Sequence, residues 1–167
     1  TLGPAVWFLN TPHFSLLEDT PGLPQRTLAV FNLQDDERSF SLSPAKLRLP
    51  EAEYVATDVW SLATGPLAAF RRFTLPGRSS RLLALSPKTS RPQILDANMK
   101  IEALEASGRE MRIGIAYGGD LTLVLSRKPA AVRLDGRAVK AQVRRGVGNH
   151  VLELRLPSAS QVALRFA

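Results

Sequence analysis

The amino-acid sequence predicts an all-β protein made of two consecutive antiparallel β-sandwich domains. Short apolar runs recur at nearly regular spacing between residues 27 and 87, and Gly, Pro, Asp and Ser separate them. Beyond residue 92 apolar residues alternate more strictly with polar ones. Turn-bounded runs with a period of two are typical of sandwich strands, which bury one face. Twelve prolines and eleven glycines also favour a loop-rich β chain over a helical bundle.

The first domain is predicted to span residues 1–88. Residues 5–9 read as an entering strand, and residues 10–25, which contain three prolines, are expected to cover the fold irregularly. The following elements are strands at 27–33, 38–43, 54–60, 73–75 and 81–85, with a short helical turn or loop at 45–49. The acidic residues Asp35, Asp36 and Glu37 fall between two strands, where Asp favours a turn. They could bind calcium, but their spacing matches no calcium-binding loop, and we favour the turn.

The second domain is predicted to span residues 89–167, after an extended linker that Pro87 and Pro92 bracket. Its strands are expected at 101–106, 111–117, 121–125, 132–134, 152–156 and 162–166. Glu and Ala in the first of these favour a helix, but Ser107 and Gly108 end the run early and we expect a strand. The Gly118–Asp120 turn is predicted to close a hairpin, and Asp135–Gly136 a second, tight one.

Composition excludes several classes of function. The chain has no cysteine, so it has neither a disulfide framework nor a thiolate metal site. Its net charge of +7 comes from arginines scattered through nearly every segment, without a nucleic-acid recognition motif, and we expect a solvated basic surface and no nucleic-acid partner. No apolar run approaches the roughly 20 residues that span a bilayer, so no membrane partner is expected.

The first residues contain neither an initiator Met nor a signal pattern, and we expect the chain to be an excised piece of a longer one. The compartment, cytoplasmic or secreted, stays open.

No constellation of residues predicts catalysis, a metal or a cofactor. The two histidines, His13 and His150, fall in different predicted domains, whereas a metal site needs three or four convergent ligands. No serine lies in a nucleophile elbow. Asp58 and Asp96 could in principle form a glycosidase pair, but no feature brings them together, and Asp58 is expected either to face a loop partner or to cap a turn beside Trp60.

Four aromatic residues are the candidates for sugar binding, since a sugar ring stacks on an exposed aromatic face. They are Trp7, Tyr54, Trp60 and Tyr117. Large rings more often fill a core, and we favour that interpretation for each of the four. Trp60 lies in the same alternating set as Tyr54, and Tyr117 shares a predicted strand face with Met111.

Several segments together carry a resemblance to a known family. They are Leu28–Leu33 with its acidic turn, Asp58–Ser61 with the Gly65 turn, Leu75–Pro76 and Arg81–Pro87. These segments resemble, in the same order, the β-sandwich that follows the catalytic (β/α)8 barrel of α-galactosidase-type glycoside hydrolases. In the second domain, Leu134–Gly136 and Leu152–Pro157 resemble a further sandwich at the end of some bacterial members.

The resemblance implies a non-catalytic accessory role. The catalytic aspartates of that family lie in the barrel, and no position of this chain matches them. The implied partner is the parent chain's barrel, which the domains would pack against and stabilise through an apolar patch near Phe70, Phe73 and Phe14. Two alternatives stay open: a carbohydrate-binding module that uses exposed aromatics, and a protein-interaction or cell-surface module with a basic surface for acidic polymers.

Overall fold

A computed structural model of the chain describes residues 6–10, 13–19, 23, 25–42, 45, 47, 49–70 and 72–167, with the backbone alone for 6–10 and 13–19. The described residues are nearly all β and form antiparallel sheets, so the predicted all-β sandwich fold is confirmed. They divide into two compact units. The first lies within residues 1–20 and 24–88, and the second comprises Leu23 and residues 89–167.

The first unit contains a six-stranded sheet and a separate two-stranded sheet. The large sheet has the strand order β1-β2-β3-β8-β5-β6, and β4 pairs with β7. The strands are β1 (Val6–Asn10), β2 (His13–Asp19), β3 (Arg26–Asn32), β4 (Arg38–Ser41), β5 (Tyr54–Asp58), β6 (Thr64–Pro66), β7 (Arg72–Leu75) and β8 (Ser79–Pro87). One 3₁₀ helix, η1 (Leu67–Phe70), joins β6 to the segment before β7.

The core of the first unit lies on one face of the large sheet. Leu28 of β3 is the direct partner of Leu83 of β8, and both side chains are fully buried. Phe40 of β4 and Leu75 of β7 belong to the same apolar cluster, so the two-stranded sheet supplies its opposite side. This arrangement follows from the period of two, which puts alternate residues of each strand on the same face.

The second unit is a sandwich of two sheets. One has the order β10-β11-β17-β13-β14 and the other β15-β16-β12-β9. The strands are β9 (Ile94–Ala97), β10 (Ile101–Ser107), β11 (Glu110–Ile115), β12 (Gly119–Leu125), β13 (Pro129–Leu134), β14 (Arg137–Ala138), β15 (Gln142–Arg145), β16 (His150–Leu156) and β17 (Ser160–Phe166). Both sheets contribute to one core, in which Ile113 and Val162 face Leu123 and Leu152 within a single cluster.

Two predicted elements of the second unit are confirmed. Residues 101–107 form strand β10, which pairs with β11, so cross-strand pairing outweighs the helix propensity of its Glu and Ala. Asp135 and Gly136 connect β13 to β14 as a two-residue turn with φ values of 48° and 80°. Positive φ at both positions is the geometry that an Asp-Gly hairpin turn requires.

The predicted hairpin at Gly118–Asp120 is wrong. Strand β11 pairs with β10 and β17, whereas β12 pairs with β16 and β9, so these glycines carry the chain from one sheet to the other. A Cβ on Gly118 would meet the backbone of Pro157 and Ser158, about 2.9 Å away. Glycine is therefore used here for a close backbone approach and not for a tight hairpin.

Three predictions for the first unit also change. Residues 10–25 are not irregular throughout, because β2 occupies 13–19 between β1 and β3. The strand predicted at 54–60 ends at Asp58. Pro87 is the last residue of β8 and pairs with Tyr54, and the Lys88 amide donates to the Glu53 carbonyl at 2.8 Å, so the connection begins after Lys88. The element predicted at 45–49 lies partly outside the described residues.

Candidate functional site

Trp60 is the most exposed aromatic side chain among the described residues, at 69% of its full accessibility. The prediction that it fills the core is wrong, because β5 ends two residues earlier and the strand alternation stops with it. Trp60 instead lies on the turn that leads from β5 to β6. Trp60 is the largest of the exposed apolar side chains among the described residues, which makes its indole the first candidate for a contact surface.

The turn that carries Trp60 is held by the side chain and backbone of Asp58. Its Oδ1 accepts hydrogen bonds from the amides of Trp60 at 3.1 Å and Ser61 at 2.9 Å. The Leu62 amide donates to the Asp58 carbonyl at 2.8 Å, and Leu62 adopts a positive φ of 59°. The predicted capping role of Asp58 is therefore confirmed, and it fixes the backbone on which the indole stands.

Arg81 holds Asp58 in place from the neighbouring strand. Its Nε lies 2.9 Å from Asp58 Oδ2, and both side chains are largely buried. Register explains the pairing: Asp58 is opposite Leu83 on the core face of the sheet, and Arg81 lies two residues further along β8 on that face. The only sequence signal for Arg81 is that it is the one charged residue in the apolar run 81–85.

Two phenylalanines cover the guanidinium of Arg81. Its Cζ lies 5.4 Å from the ring centroid of Phe70 and 5.0 Å from that of Phe73, within the range of cation–π contact. Phe73 also stacks on Phe40, with centroids 5.6 Å apart. Phe70 and Phe73 are thus half-buried against the core and Arg81, while the side chain of Phe14 lies outside the described residues.

The electrostatics of the cluster keep Asp58 ionised. Burial on its own would raise the pKa of this carboxyl, but hydrogen bonds from Ser61 and Arg81 and the charge of Arg81 outweigh burial and lower the pKa. The carboxylate therefore acts as a fixed acceptor for the turn. In Asp96 of the second unit, burial raises the pKa of the carboxyl, and the Ala97 amide offsets only part of that effect.

The other three aromatic candidates do not join Trp60. Tyr54 begins β5, at the opposite end from Trp60, and is buried, with its hydroxyl donating to the Pro50 carbonyl at 3.1 Å. Tyr117 belongs to the second unit and is 51% exposed, so its predicted core position is also wrong; its hydroxyl accepts from the Lys100 amide at 3.5 Å. Trp7 lies in β1 opposite Leu16, and its side chain is outside the described part of the chain.

The carboxylates weighed as a glycosidase pair, Asp58 and Asp96, lie in different units. Within the residues that the structure describes, no three His, Cys, Asp or Glu side chains are grouped as metal ligands would be. No described helix is long and apolar enough to cross a membrane. No protein-family model matches the chain, and no curated protein is significantly similar to it.

The polar groups around Trp60 hold its turn in place. Both oxygens of the Asp58 carboxylate are engaged within the cluster, Oδ1 by the two turn amides and Oδ2 by Arg81 Nε. What remains available is the indole, presented on a turn with a fixed backbone. A preset aromatic anchor is typical of a surface that binds another molecule.

Proposed function

We propose that the chain is a non-catalytic accessory region of a glycoside hydrolase resembling α-galactosidases, which packs on and stabilises the catalytic barrel. The observation that carries the proposal is the exposed indole of Trp60 on its fixed turn. Trp60 also belongs to one of the segments, Asp58–Ser61, on which the family resemblance rests.

A tryptophan left 69% exposed gains little from folding, whereas burial against a second surface would remove a large apolar area from water. Tryptophan is among the residues that contribute most to protein interfaces when a pocket receives them. The fixed turn also favours docking, because a side chain on a fixed backbone loses less conformational entropy on binding.

The first test asks whether the native protein that contains this chain also contains a barrel. The proposal requires a (β/α)8 barrel, typically about 250 residues, encoded in the same reading frame or as a separate subunit that co-purifies with this chain. We expect antibodies against the chain to detect a polypeptide or complex of that combined size in extracts of the source cells. A native species that contains neither would refute the accessory role.

The second test is Trp60→Ala in that native protein. We expect the substitution to weaken docking by about 2 kcal/mol, roughly 30-fold, and to lower the thermal inactivation temperature of the barrel. Leu33→Ala, which removes another exposed apolar side chain of the first unit, is the control and should change neither quantity. Equal effects of both substitutions would contradict a specific anchor.

The carbohydrate-binding alternative also uses the indole of Trp60. Titration of the isolated chain with galactosides distinguishes it from the accessory role. Trp60 and Tyr117 are both exposed but belong to different units, and Tyr54 is buried, so within one unit the described rings do not form a two-ring platform. Saturable binding of galactosides by the isolated chain, lost in Trp60→Ala but with an unchanged melt, would replace the accessory role by this one.

A further inference from the structure

We infer that the second unit binds a neutral carbohydrate in a cavity on the outer face of its four-stranded sheet. This site is independent of Trp60, lies on other strands and uses no aromatic ring. The cavity is a wide depression, more open to solvent than enclosed, with a volume of about 610 Å³. Its lining comprises Asp120, Leu121, Thr122, Lys140, Gln142, Glu153, Leu154 and Arg155.

Strand register builds the floor of this cavity. Thr122 of β12, Glu153 of β16 and Gln142 of β15 are direct partners across three adjacent strands. Asp120 and Arg155 form the next pair on the same face. The alternate residues of the same strands, such as Leu121 and Leu123, are buried in the core. Pleating therefore puts a row of polar side chains on the solvent side, supported by a rigid sheet.

The charges of the lining balance. Arg155 lies 2.7 Å from Asp120, and Glu153 lies 3.7 Å from the Nε of Arg144, which is not among the lining residues. The lining itself carries two carboxylates against two cations, Lys140 and Arg155. An anionic ligand would meet the carboxylates and a cationic ligand the two basic groups, so neither gains a net attraction from this surface.

The hydrogen-bonding groups of the lining fit hydroxyls. Carboxylates only accept, Lys and Arg only donate, and the Gln142 amide and Thr122 hydroxyl do both. A ligand that satisfies such an interleaved surface must itself offer donors and acceptors around its whole edge while carrying no charge. A sugar has that chemistry. Three strands at about 4.8 Å spacing also give the floor a width of roughly 10 Å, enough for a pyranose ring to lie flat.

The net charge of the cavity lining differs from that of the unit as a whole. Residues 89–167 contain thirteen Lys and Arg and seven Asp and Glu, a net charge of +6, which is most of the +7 of the chain. The cavity is locally neutral on a basic unit. Acidic polymers would therefore be attracted elsewhere on this unit, and salt dependence separates that binding from binding in the cavity.

The experiment titrates the intact chain with neutral oligosaccharides by calorimetry, and repeats the titration with oligogalacturonate. The neutral panel contains galactan, glucan, mannan and xylan hexasaccharides. We expect saturable binding of at least one neutral member, unchanged between low and high salt, with amide shifts in ¹⁵N spectra confined to β12, β15 and β16. No binding by any neutral member, or binding of oligogalacturonate alone that salt removes, overturns the proposal.

Two substitutions assign the binding to the cavity. Glu153→Gln keeps the shape of the side chain but removes the charged acceptor, and Gln142→Ala removes a donor and acceptor without touching an ion pair. We expect each to weaken binding about tenfold. Glu105→Gln, an exposed carboxylate on the other sheet of the same unit, is the matched control and should bind as before.

Trp60→Ala separates this site from the proposed function. It should leave neutral-sugar binding by the second unit intact, whether or not it disrupts docking to a barrel. If Trp60→Ala abolishes sugar binding and Glu153→Gln and Gln142→Ala do not, the site is on the first unit and this proposal is wrong.

Discussion

Asp58 is the residue on which the geometry of the candidate site depends. Its carboxylate accepts two turn amides through one oxygen and the Arg81 guanidinium through the other. Because Arg81 is itself covered by Phe70 and Phe73, the ion pair is shielded from water more than the surface pairs of the chain. A single carboxylate thus connects the turn, a sheet strand and an aromatic cluster.

We predict that Asp58→Asn lowers the free energy of unfolding by about 2 kcal/mol at pH 7, since hydrogen bonds to a charged group are among the stronger ones. The pKa of Asp58 is lowered in the folded state. Its contribution is therefore complete above the unfolded carboxyl pKa, near 3.9, and is lost as the pH falls through the lower folded value. Urea denaturation between pH 7 and pH 2 should show the difference between the two proteins shrinking below about pH 4.

The control for this prediction is Glu53→Gln, which breaks an ion pair with Lys88 whose two side chains are both exposed. Exposed pairs contribute less than about 1 kcal/mol, so this variant should unfold almost as the unsubstituted protein does. A difference between Asp58→Asn and the unsubstituted protein that stays constant down to pH 2 would mean that the carboxylate charge is not what stabilises the turn.

At the scale of elements, Asn32 connects two turns of the first unit. Its Nδ2 donates to the carbonyls of Asp36, Leu75 and Pro76 at 2.8, 3.1 and 2.9 Å, and its Oδ1 accepts from the Gln34 amide at 3.2 Å. The side chain is 1% exposed. The acidic bend after β3 is thereby fastened to the connection between β7 and β8, which gives this asparagine of the resembling segment a structural role.

We predict that Asn32→Asp is more destabilising than Asn32→Ala. Alanine leaves buried carbonyls without their donor, at a cost of about 2 kcal/mol, whereas a carboxylate of the same shape turns an oxygen toward those carbonyls and buries a charge as well. Asn98 bonds in the same two-way manner to Asp120 and Thr122 but is exposed, so Asn98→Asp serves as the control and should cost little. The melting temperatures of the four proteins test the order.

The sequence predicts most strands because the alternation of apolar and polar residues indicates which face of a strand is buried. It does not indicate which strands pair with one another. The run 111–115 alternates as predicted, and Met111, Ile113 and Ile115 are buried. The same alternation fails at Tyr117, because β11 has already ended at Ile115. The sequence of the following turn predicts a hairpin because glycine occurs both in tight turns and in crossings between sheets, and only long-range pairing distinguishes the two.

The candidate site was only partly predictable for a similar reason. The capping role of Asp58 follows from local chemistry, since Asp favours turns by bonding to nearby amides. Its bond to Arg81 joins residues 23 apart in sequence and depends on the register of β5 and β8. The exposure of Trp60 depends on where β5 ends. Element boundaries and register are set by tertiary packing, which a single sequence does not display.

At the scale of the whole molecule, each unit has its own apolar core. The clusters around Leu83 in the first unit and Leu123 in the second share no residue, and both of these side chains are 0% exposed. Leucine-to-alanine substitutions at such positions cost about 2–5 kcal/mol, because a cavity remains where the side chain was. Each substitution should therefore act on the unit that contains it.

We predict that Leu123→Ala and Leu83→Ala affect different parts of the unfolding of the intact chain. A loss of about 3 kcal/mol in a unit of this size lowers its melting temperature by more than about 10 °C, which differential scanning calorimetry resolves. Amide exchange assigns each shifted transition: protection should fall in β12 and β16 for Leu123→Ala, and in β3 and β8 for Leu83→Ala. If either variant instead lowers protection equally in all four strands, the two cores unfold as one cooperative unit, and substitutions in the second unit would then also weaken the turn that carries Trp60.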